Sequence, residues 1–346
     1  LPLVLRVAYP FLMTRALVIC GASARSAAFS ALRAGFQTFC ADLFADRDLQ
    51  QWSRSLKIPI SDYPQAIPDL IHELPDGPCL LTGSMENYPQ VVRSIEKHRP
   101  IQGSSAEVMQ TVRCPFTIYD WLIEENLPSP LARCEVENPG TSWIRKPLQV
   151  EGTHFFQEWI EGISCSAVYL EGQFLGASEQ LIGESWLHAR PFQYCGSVGP
   201  LSLSASTRET LIRIGRLLAD RGSMRGYFGI DFILRDDMPF LIEVNPRYTA
   251  SIEIIERGQR EERLFSKAIL FARESICFPD QGPWLSSLEK SPLEAWPDFA
   301  DIPHPGEIIS QGWPVLTFFA EAQTVMEHKA RLRSMASSLD RLLLGE

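Results

Sequence analysis

Apolar and polar positions alternate most regularly between Gly226 and Arg247. Phe228, Ile230, Phe232 and Leu234 recur at every second position, as do Phe240, Ile242 and Val244, and a period of two is that of a strand. Arg235, Asp236 and Asp237 supply a polar turn between the two runs, so the stretch predicts a β-hairpin. Successive strand side chains point to opposite faces. Asp231 therefore lies off the Phe/Ile stripe, and Glu243 and Asn245 share a face by their spacing of two. A hairpin symmetric about Asp237 sets Asp231 opposite Glu243, with two carboxylates and an amide oxygen converging on one spot. All-oxygen donors of this kind suit a hard cation such as Mg²⁺, which keeps several waters and bridges phosphate oxygens. An ordinary hairpin with a solvated acidic face is the alternative at this point.

The N-terminal pattern is different. Residues 15–20 are a short continuous apolar run, 21–26 a small-residue turn, 27–34 a helix stopped by Gly35, and 36–41 a second strand closed by Asp42. Strand–helix–strand order implies parallel strands and a right-handed crossover. Gly21-x-Ser-x-x-Ser is a poor match to the dinucleotide-binding G-x-G-x-x-G. Residues 78–82 predict a third strand, 88–98 a helix and 100–103 a return strand. Asp42 and Asp46, and Gly83, Glu86 and Asn87, fall where strands end, the ligand edge of such a sheet; turn cap and helix entry are the simpler roles.

From residue 105 the pattern turns helical, with helices at 106–112 and 115–126. Residues 142–147 predict a strand carrying Arg145 and Lys146, and 153–162 a strand and hinge. A second hairpin, 163–169 and 173–181, turns at Glu171-Gly172. The stretch 183–200, with Trp186, His188, Arg190 and Tyr194, has no regular period and reads as a long loop bordering a pocket, with Arg190 a candidate carboxylate ligand. Ser206-Thr-Arg-Glu209 reads as a capping box opening an amphipathic helix that turns Leu211, Leu217 and Leu218 inward and stops at Gly222. Helices at 253–257 and 260–275, a Pro-rich connector at 278–305, a strand at 315–321 and a helix at 324–343 complete the chain.

A chain of 346 residues holds two or three packed units, and 45% hydrophobic with 21% charged residues is ordinary globular composition. A net charge of -10 disfavours a nucleic-acid or anionic-membrane surface. The eight cysteines are scattered, with no C-x-x-C pair, and read as buried reduced thiols of a cytoplasmic protein rather than a zinc site. No apolar run reaches the about 18 residues of a membrane span. Residues 1–12 are apolar, broken by Arg6 and Pro10, and precede Met13, which reads as the natural start of translation.

The pattern Asp231…Glu243-Val-Asn-Pro-Arg247, preceded by Lys146-Pro147 at a strand end, resembles the ATP-grasp superfamily. The resemblance implies an α/β and α+β architecture: an ATP-grasp fold, two α+β subdomains gripping ATP, preceded by a small parallel-sheet α/β domain. It divides the chain into a preceding domain at 13–104, an ATP-grasp domain at 105–275 (helical linker 105–130, Lys strand and hinge 141–170, metal hairpin 226–247) and a C-terminal connector, strand and helix at 276–346. It implies that Asp231, Glu243 and Asn245 hold Mg²⁺, or Mn²⁺, against ATP, and that Lys146 contacts nucleotide phosphate. Gln157, Glu158, Trp159, Ile160 and Glu161 then cover the adenine edge and the ribose, with Glu161 on the ribose. Arg247 and Lys146 are the implied catalytic residues. One departure stands out: the family follows this lysine with a glycine-rich phosphate loop, whereas here only Leu148-Gln-Val-Glu-Gly152 intervenes.

What the resemblance implies is an ADP-forming ligase that joins a small-molecule carboxylate to an amine through an acyl-phosphate. The wording Glu-Val-Asn-Pro-Arg-Tyr-Thr-Ala-Ser is similar to the branch that includes the tyramine–glutamate ligase, which implies an amino acid such as glutamate as substrate and a place in one-carbon cofactor synthesis. Homodimers are common in the superfamily, and no nucleic-acid or membrane partner is implied. A phosphotransferase and a non-catalytic nucleotide-binding module are the other classes it allows.

Overall fold

Strand β1 (Ala16–Gly21) is flanked by parallel neighbours, β2 (Gln37–Asp42) on one side and β4 (Cys79–Leu81) on the other. With β3 (Arg54–Lys57) outside β2 the sheet order is β3-β2-β1-β4. Leu17 to Cys20 are at most 1% exposed, so β1 is covered on both faces, which is why its sequence is a continuous apolar run rather than an alternation. The covering helices are α1 (Arg25–Arg33), α2 (Arg47–Trp52), α3 (Ile67–His72) and α4 (Pro89–Glu96). Among the described residues the return strand expected at 100–103 is a single bridge from Ile101 to Cys79. The structure, a computed structural model, describes residues 16–137, 140, 142–148 and 152–345; the start expected at Met13 and the apolar stretch before it lie outside the described residues.

Helices α5 (Ala106–Val112) and α6 (Pro115–Glu124) fall where the sequence places them. Ser105 caps α5 by accepting the Val108 N–H. They lead into an antiparallel sheet of β5 (Ala132–Arg133), β6 (Trp143–Pro147) and β7 (His154–Glu158), in the order β5-β7-β6.

An eight-stranded antiparallel sheet forms the rest of the frame, in the order β12-β11-β8-β9-β10-β13-β17-β15. Its members are β8 (Ile163–Leu170), β9 (Gln173–Ile182), β10 (Tyr194–Gly199), β11 (Tyr227–Arg235), β12 (Met238–Asn245), β13 (Phe265–Phe271), β15 (Phe299–Ala300) and β17 (Pro314–Ala320). A separate ribbon pairs β14 (Ile276–Cys277) with β16 (Ile308–Ile309). Helices α7 (Ala205–Asp220), α8 (Ile252–Glu261), α9 (Leu285–Leu288) and α10 (Val325–Leu344) complete the fold. The division expected at 275 falls between β13 and β17, two neighbours in this sheet.

Four sequence expectations are corrected. Residues 194–199 are strand β10 rather than loop: between β9 and β13 it is covered on both faces, so its small residues show no period of two. Residues 265–271 are strand β13 rather than helix, again a near-continuous apolar run whose period cannot separate buried strand from helix. The cap of α7 is Ser204, whose side chain accepts the Thr207 N–H, so Ser206 is already inside the helix. The cysteines are all free, but Cys134 and Cys277 are exposed rather than buried.

Candidate active site

The hairpin β11–β12 pairs Asp231 directly with Glu243, as the sequence predicts, but by a different route. The turn is the two-residue Asp236-Asp237, both with positive φ (50° and 60°), and it pairs Arg235 with Met238. That register continues to Phe232–Leu241, and a β-bulge then adds Ile242 before Asp231 meets Glu243. A bulge shifts the facing of the residues beyond it. Leu241 and Val244 are therefore the core-facing residues of β12, at 3% exposure each, in place of the alternating Phe240, Ile242 and Val244 set. Behind them Phe228, Ile230 and Phe232 pack on Leu211, Ile214 and Leu218 of α7, which leaves the acidic face free for the site.

Asp231 accepts from the Gln180 amide at 2.9 Å and the Asn245 amide at 3.1 Å. Burial first, and then the facing Glu243 carboxylate, push its carboxyl up to about 6. Like charges directly opposite on paired strands repel unless counter-charge is present. Arg113 supplies part of it, pairing with Glu243 while donating to the Val244 carbonyl at 3.2 Å and to Asn87 at 3.2 Å. Lys146 reaches the bulged Ile242 carbonyl at 3.5 Å; burial lowers its pKa, opposed by Glu243 and Asp231. Arg247 donates two bonds to Glu86, 2.5 and 2.8 Å long, and burial of both groups is outweighed by this pairing, which raises the arginine and lowers the glutamate.

Two cavities meet at this hairpin. The first, about 250 Å³, is lined by Lys146, Gln157, Arg113, Ile242 and Glu243, with apolar walls that include Ile118, Phe155 and Leu241. The second, about 300 Å³, is lined by Asp231, Asn245, Arg247, Lys267, Arg25 and Thr249 among others. Glu243 thus lines one cavity and Asp231 and Asn245 the other. Gln157 donates to the Ile242 carbonyl at 3.3 Å. Glu158, Trp159, Ile160 and Glu161 line neither cavity. Glu158 accepts the Leu131 N–H at 3.1 Å, Trp159 packs edge to face on Phe192, Ile160 is buried and Glu161 exposed. Arg190 also lies away from both cavities, and of the stretch 183–200 only Tyr194 lines the second. Residues 149–151 of the short connection after Lys146 lie outside the described residues; the flanking Leu148 N–H donates to the Thr153 carbonyl at 3.0 Å.

The donor set suits a hard divalent ion: two opposed carboxylates and an amide, all oxygen donors. Among the described residues no group of three or more His, Cys, Asp or Glu side chains is gathered as a metal site, so the candidate is this mixed set. The first cavity suits phosphate, because Arg113 Nε is buried with no hydrogen-bond partner beside the Lys146 ammonium. Sequence reasoning did not find Arg113, Gln180 or Lys267, and nothing local marks them. It placed Glu86 at the ligand edge of the parallel sheet, with helix entry as the simpler role, and did not foresee its pairing with Arg247.

The ATP-grasp domain profile matches residues 116–251, which span the Lys strand, both hairpins and Arg247. The chain contains an ATP-grasp domain, and its fold is the ATP-grasp fold behind a parallel-sheet domain. An uncharacterized protein of Methanocaldococcus jannaschii is 25% identical over 183 residues, 48% of this chain and 42% of that protein, so the chain spans less than half of this relative. Among solved structures, the L-amino acid ligase of Bacillus licheniformis superimposes with a TM-score of 0.65 at 14% identity, covering 94% of this chain and 98% of that one. The biotin carboxylase domain of the Hydrogenobacter thermophilus 2-oxoglutarate carboxylase, in complex with MgADP and bicarbonate, gives 0.70 at 12% identity, covering 94% and 90%. The N5-carboxyaminoimidazole ribonucleotide synthetase of Thermus thermophilus gives 0.62 at 13%, covering 91% and 97%. At these identities the likeness is one of fold. No described helix is long and apolar enough to cross a membrane.

Proposed function

We propose that the chain is an ATP- and Mg²⁺-dependent ligase that joins a carboxylate to an amine and releases ADP and phosphate. The observation that supports this reading most is the hairpin shared between two cavities, with Lys146, Arg113 and Glu243 facing one and Asp231, Asn245 and Arg247 the other. In this reading the ATP phosphates lie in the first cavity, towards Lys146 and Arg113 and beside Gln157, and the base and sugar extend past its lining for the segment that follows, to Glu161, to meet them. Mg²⁺ held by Asp231, Glu243 and Asn245 would neutralise charge on the transferred phosphoryl group. The substrate carboxylate oxygen takes the γ-phosphoryl group and ADP leaves. The amine nitrogen then attacks the acyl carbon, the C–O bond to phosphate breaks, and a proton is lost from nitrogen. Arg247, which donates to Glu86, would stabilise the oxyanion. An amino acid such as glutamate as substrate, and a role in one-carbon cofactor synthesis, are the finer parts of the same proposal.

The experiment is ADP and phosphate release with Mg²⁺-ATP, offering carboxylates and amines singly and in pairs. Release that needs both partners, and falls at least about 100-fold in Glu243→Ala, is the expected result. ADP without phosphate would identify a phosphotransferase instead. One observation favours a second reading, a nucleotide-binding module without turnover: only residues 148–152 separate Pro147 from Thr153, where the family carries its phosphate loop. ATP binding with no release for any pair would establish it.

A further inference from the structure

A third cavity, about 300 Å³, lies between the carboxyl edge of the parallel sheet and strands β13 and β17, within the size range of small-molecule sites. Its walls are apolar, with Leu43, Phe44, Ile309, Trp313 and Leu316 among them, and the Phe44 and Trp313 rings meet edge to face with centroids 6.4 Å apart. Ile60 and Ile308, at 59% and 69% exposure, bring its lining out to solvent.

Asp46 stands out in this wall. It is 6% exposed, and among the described residues no hydrogen bond or ion pair reaches its carboxylate, although it sits at the start of α2. The acids around it are matched. Asp42 accepts the N–H groups of Ala24 and Phe44, Asp48 those of Asp301 and Ile302, Asp301 binds Arg25, and Glu307 binds Lys57. Burial, and then the charges of Asp301, Asp42, Asp48 and Glu307, hold the Asp46 carboxyl well above the usual carboxylate range. A buried carboxylate without counter-charge is costly, and a bound cation relieves it.

The cavity is contiguous with the chamber of Asp231, Asn245 and Arg247, since Ser23, Ile269, Asp301 and Thr317 line both. Where this cavity sets Lys57 against Asp46, Asp301 and Glu307, that chamber sets Arg25, Arg247 and Lys267 against Asp231 and Asp301. Arg247 faces it, and Lys267 Nζ, which donates to the Ala250 carbonyl at 2.6 Å and to Glu253 at 3.0 Å, keeps a third N–H. We propose that the carboxylate substrate is an apolar zwitterion, which within the amino-acid class proposed above selects a hydrocarbon-bodied member over glutamate. Its hydrocarbon body fills the Phe44–Trp313 cavity, a non-reacting ammonium sits on Asp46, and its reacting carboxylate lies in the Arg247–Lys267 chamber. The identity of the reacting end rests on the ligase reading; the seats of the body and the ammonium do not.

The test is calorimetric binding to the full chain of trans-4-(aminomethyl)cyclohexanecarboxylate, compared with cyclohexanecarboxylate, which lacks the ammonium. The amino acid binds more tightly, and Asp46→Asn brings the two level, a loss of roughly 10- to 100-fold for the charged hydrogen bond. Asparagine matches aspartate in size and removes only a buried charge that no group among the described residues pairs, so the variant keeps its fold. Trp313→Ala weakens both ligands together. Equal affinity of the two acids, no binding of either, or an Asp46→Asn variant that still prefers the ammonium overturns the proposal. The ligase reading fails separately: preference for the ammonium with no ADP release for any pair leaves the site standing without the reaction, and ADP release without that preference removes only this site.

Discussion

Single buried charges shape this site more than any motif does. Glu253 is 1% exposed, yet it stays ionised: burial would raise its carboxyl, but Arg25 and Lys267 outweigh it and bring it to about 2. A carboxyl lowered in the folded state adds stability that is complete above its unfolded value and is lost as pH falls towards its folded one. The window runs from about pH 5 to pH 2, and the upper limit is roughly 3 kcal/mol at 1.36 kcal/mol per unit. Urea unfolding of wild type and Glu253→Gln should differ most near pH 7 and converge towards pH 2. A gap that is constant with pH would mean the ion pairs are not its source. None of this was legible in advance. Lys267 lies in Phe265-Ser-Lys-Ala-Ile-Leu-Phe271, inside the stretch whose pattern predicts a helix until β10 and β17 are known to flank it. Arg25 likewise falls in the turn predicted at 21–26, although its partners Glu253 and Asp301 are more than 200 positions away.

At the scale of elements, the β11–β12 hairpin was legible because its pattern is local: a period of two, a polar turn and three oxygen donors within fifteen residues, Asp231 to Asn245. The opposition of Asp231 and Glu243 was nevertheless reached by two offsets that cancel. The real turn centre lies between Asp236 and Asp237, and the bulge at Ile242 restores the missing residue. Bulges leave no sequence period, so the core-facing set of β12 was misassigned. Helix starts show the same limit, since two serines near one end cannot be ranked by composition. The structure ranks them, with Ser204 accepting the Thr207 N–H, and it places a capping box at Thr324, where the Glu327 side chain reaches back to the cap. Ser204→Ala and Thr324→Ala should each cost about 1 kcal/mol in urea unfolding, and Ser206→Ala should cost nothing measurable. Equal losses for Ser204→Ala and Ser206→Ala would contradict the assigned start of α7.

At the scale of the whole molecule, the parallel-sheet domain is tied to the candidate site through an ion pair. Glu86 follows β4 on a turn that begins with Ser84 at φ 59°, and both of its oxygens hold Arg247, 161 positions away. Sequence order names each residue but carries no sign of the pair. Removing one partner of a buried ion pair leaves the other uncompensated, and Arg247 is the group proposed above to stabilise the oxyanion. Glu86→Gln should therefore act on chemistry more than on nucleotide binding. Its amide oxygen accepts one of the two arginine bonds, and the first cavity does not contain Arg247. The expected outcome is a turnover for the acid–amine pair at least about 10-fold lower with KM for ATP changed less than about 2-fold, because orientation at the reacting centre dominates rate. Stability should fall by roughly 1–3 kcal/mol for the lost charged hydrogen bond. A rise in KM for ATP at unchanged kcat would place Arg247 on the nucleotide instead, and no change in either constant would reduce the Glu86–Arg247 pair to a tie between the parallel sheet and the ATP-grasp domain.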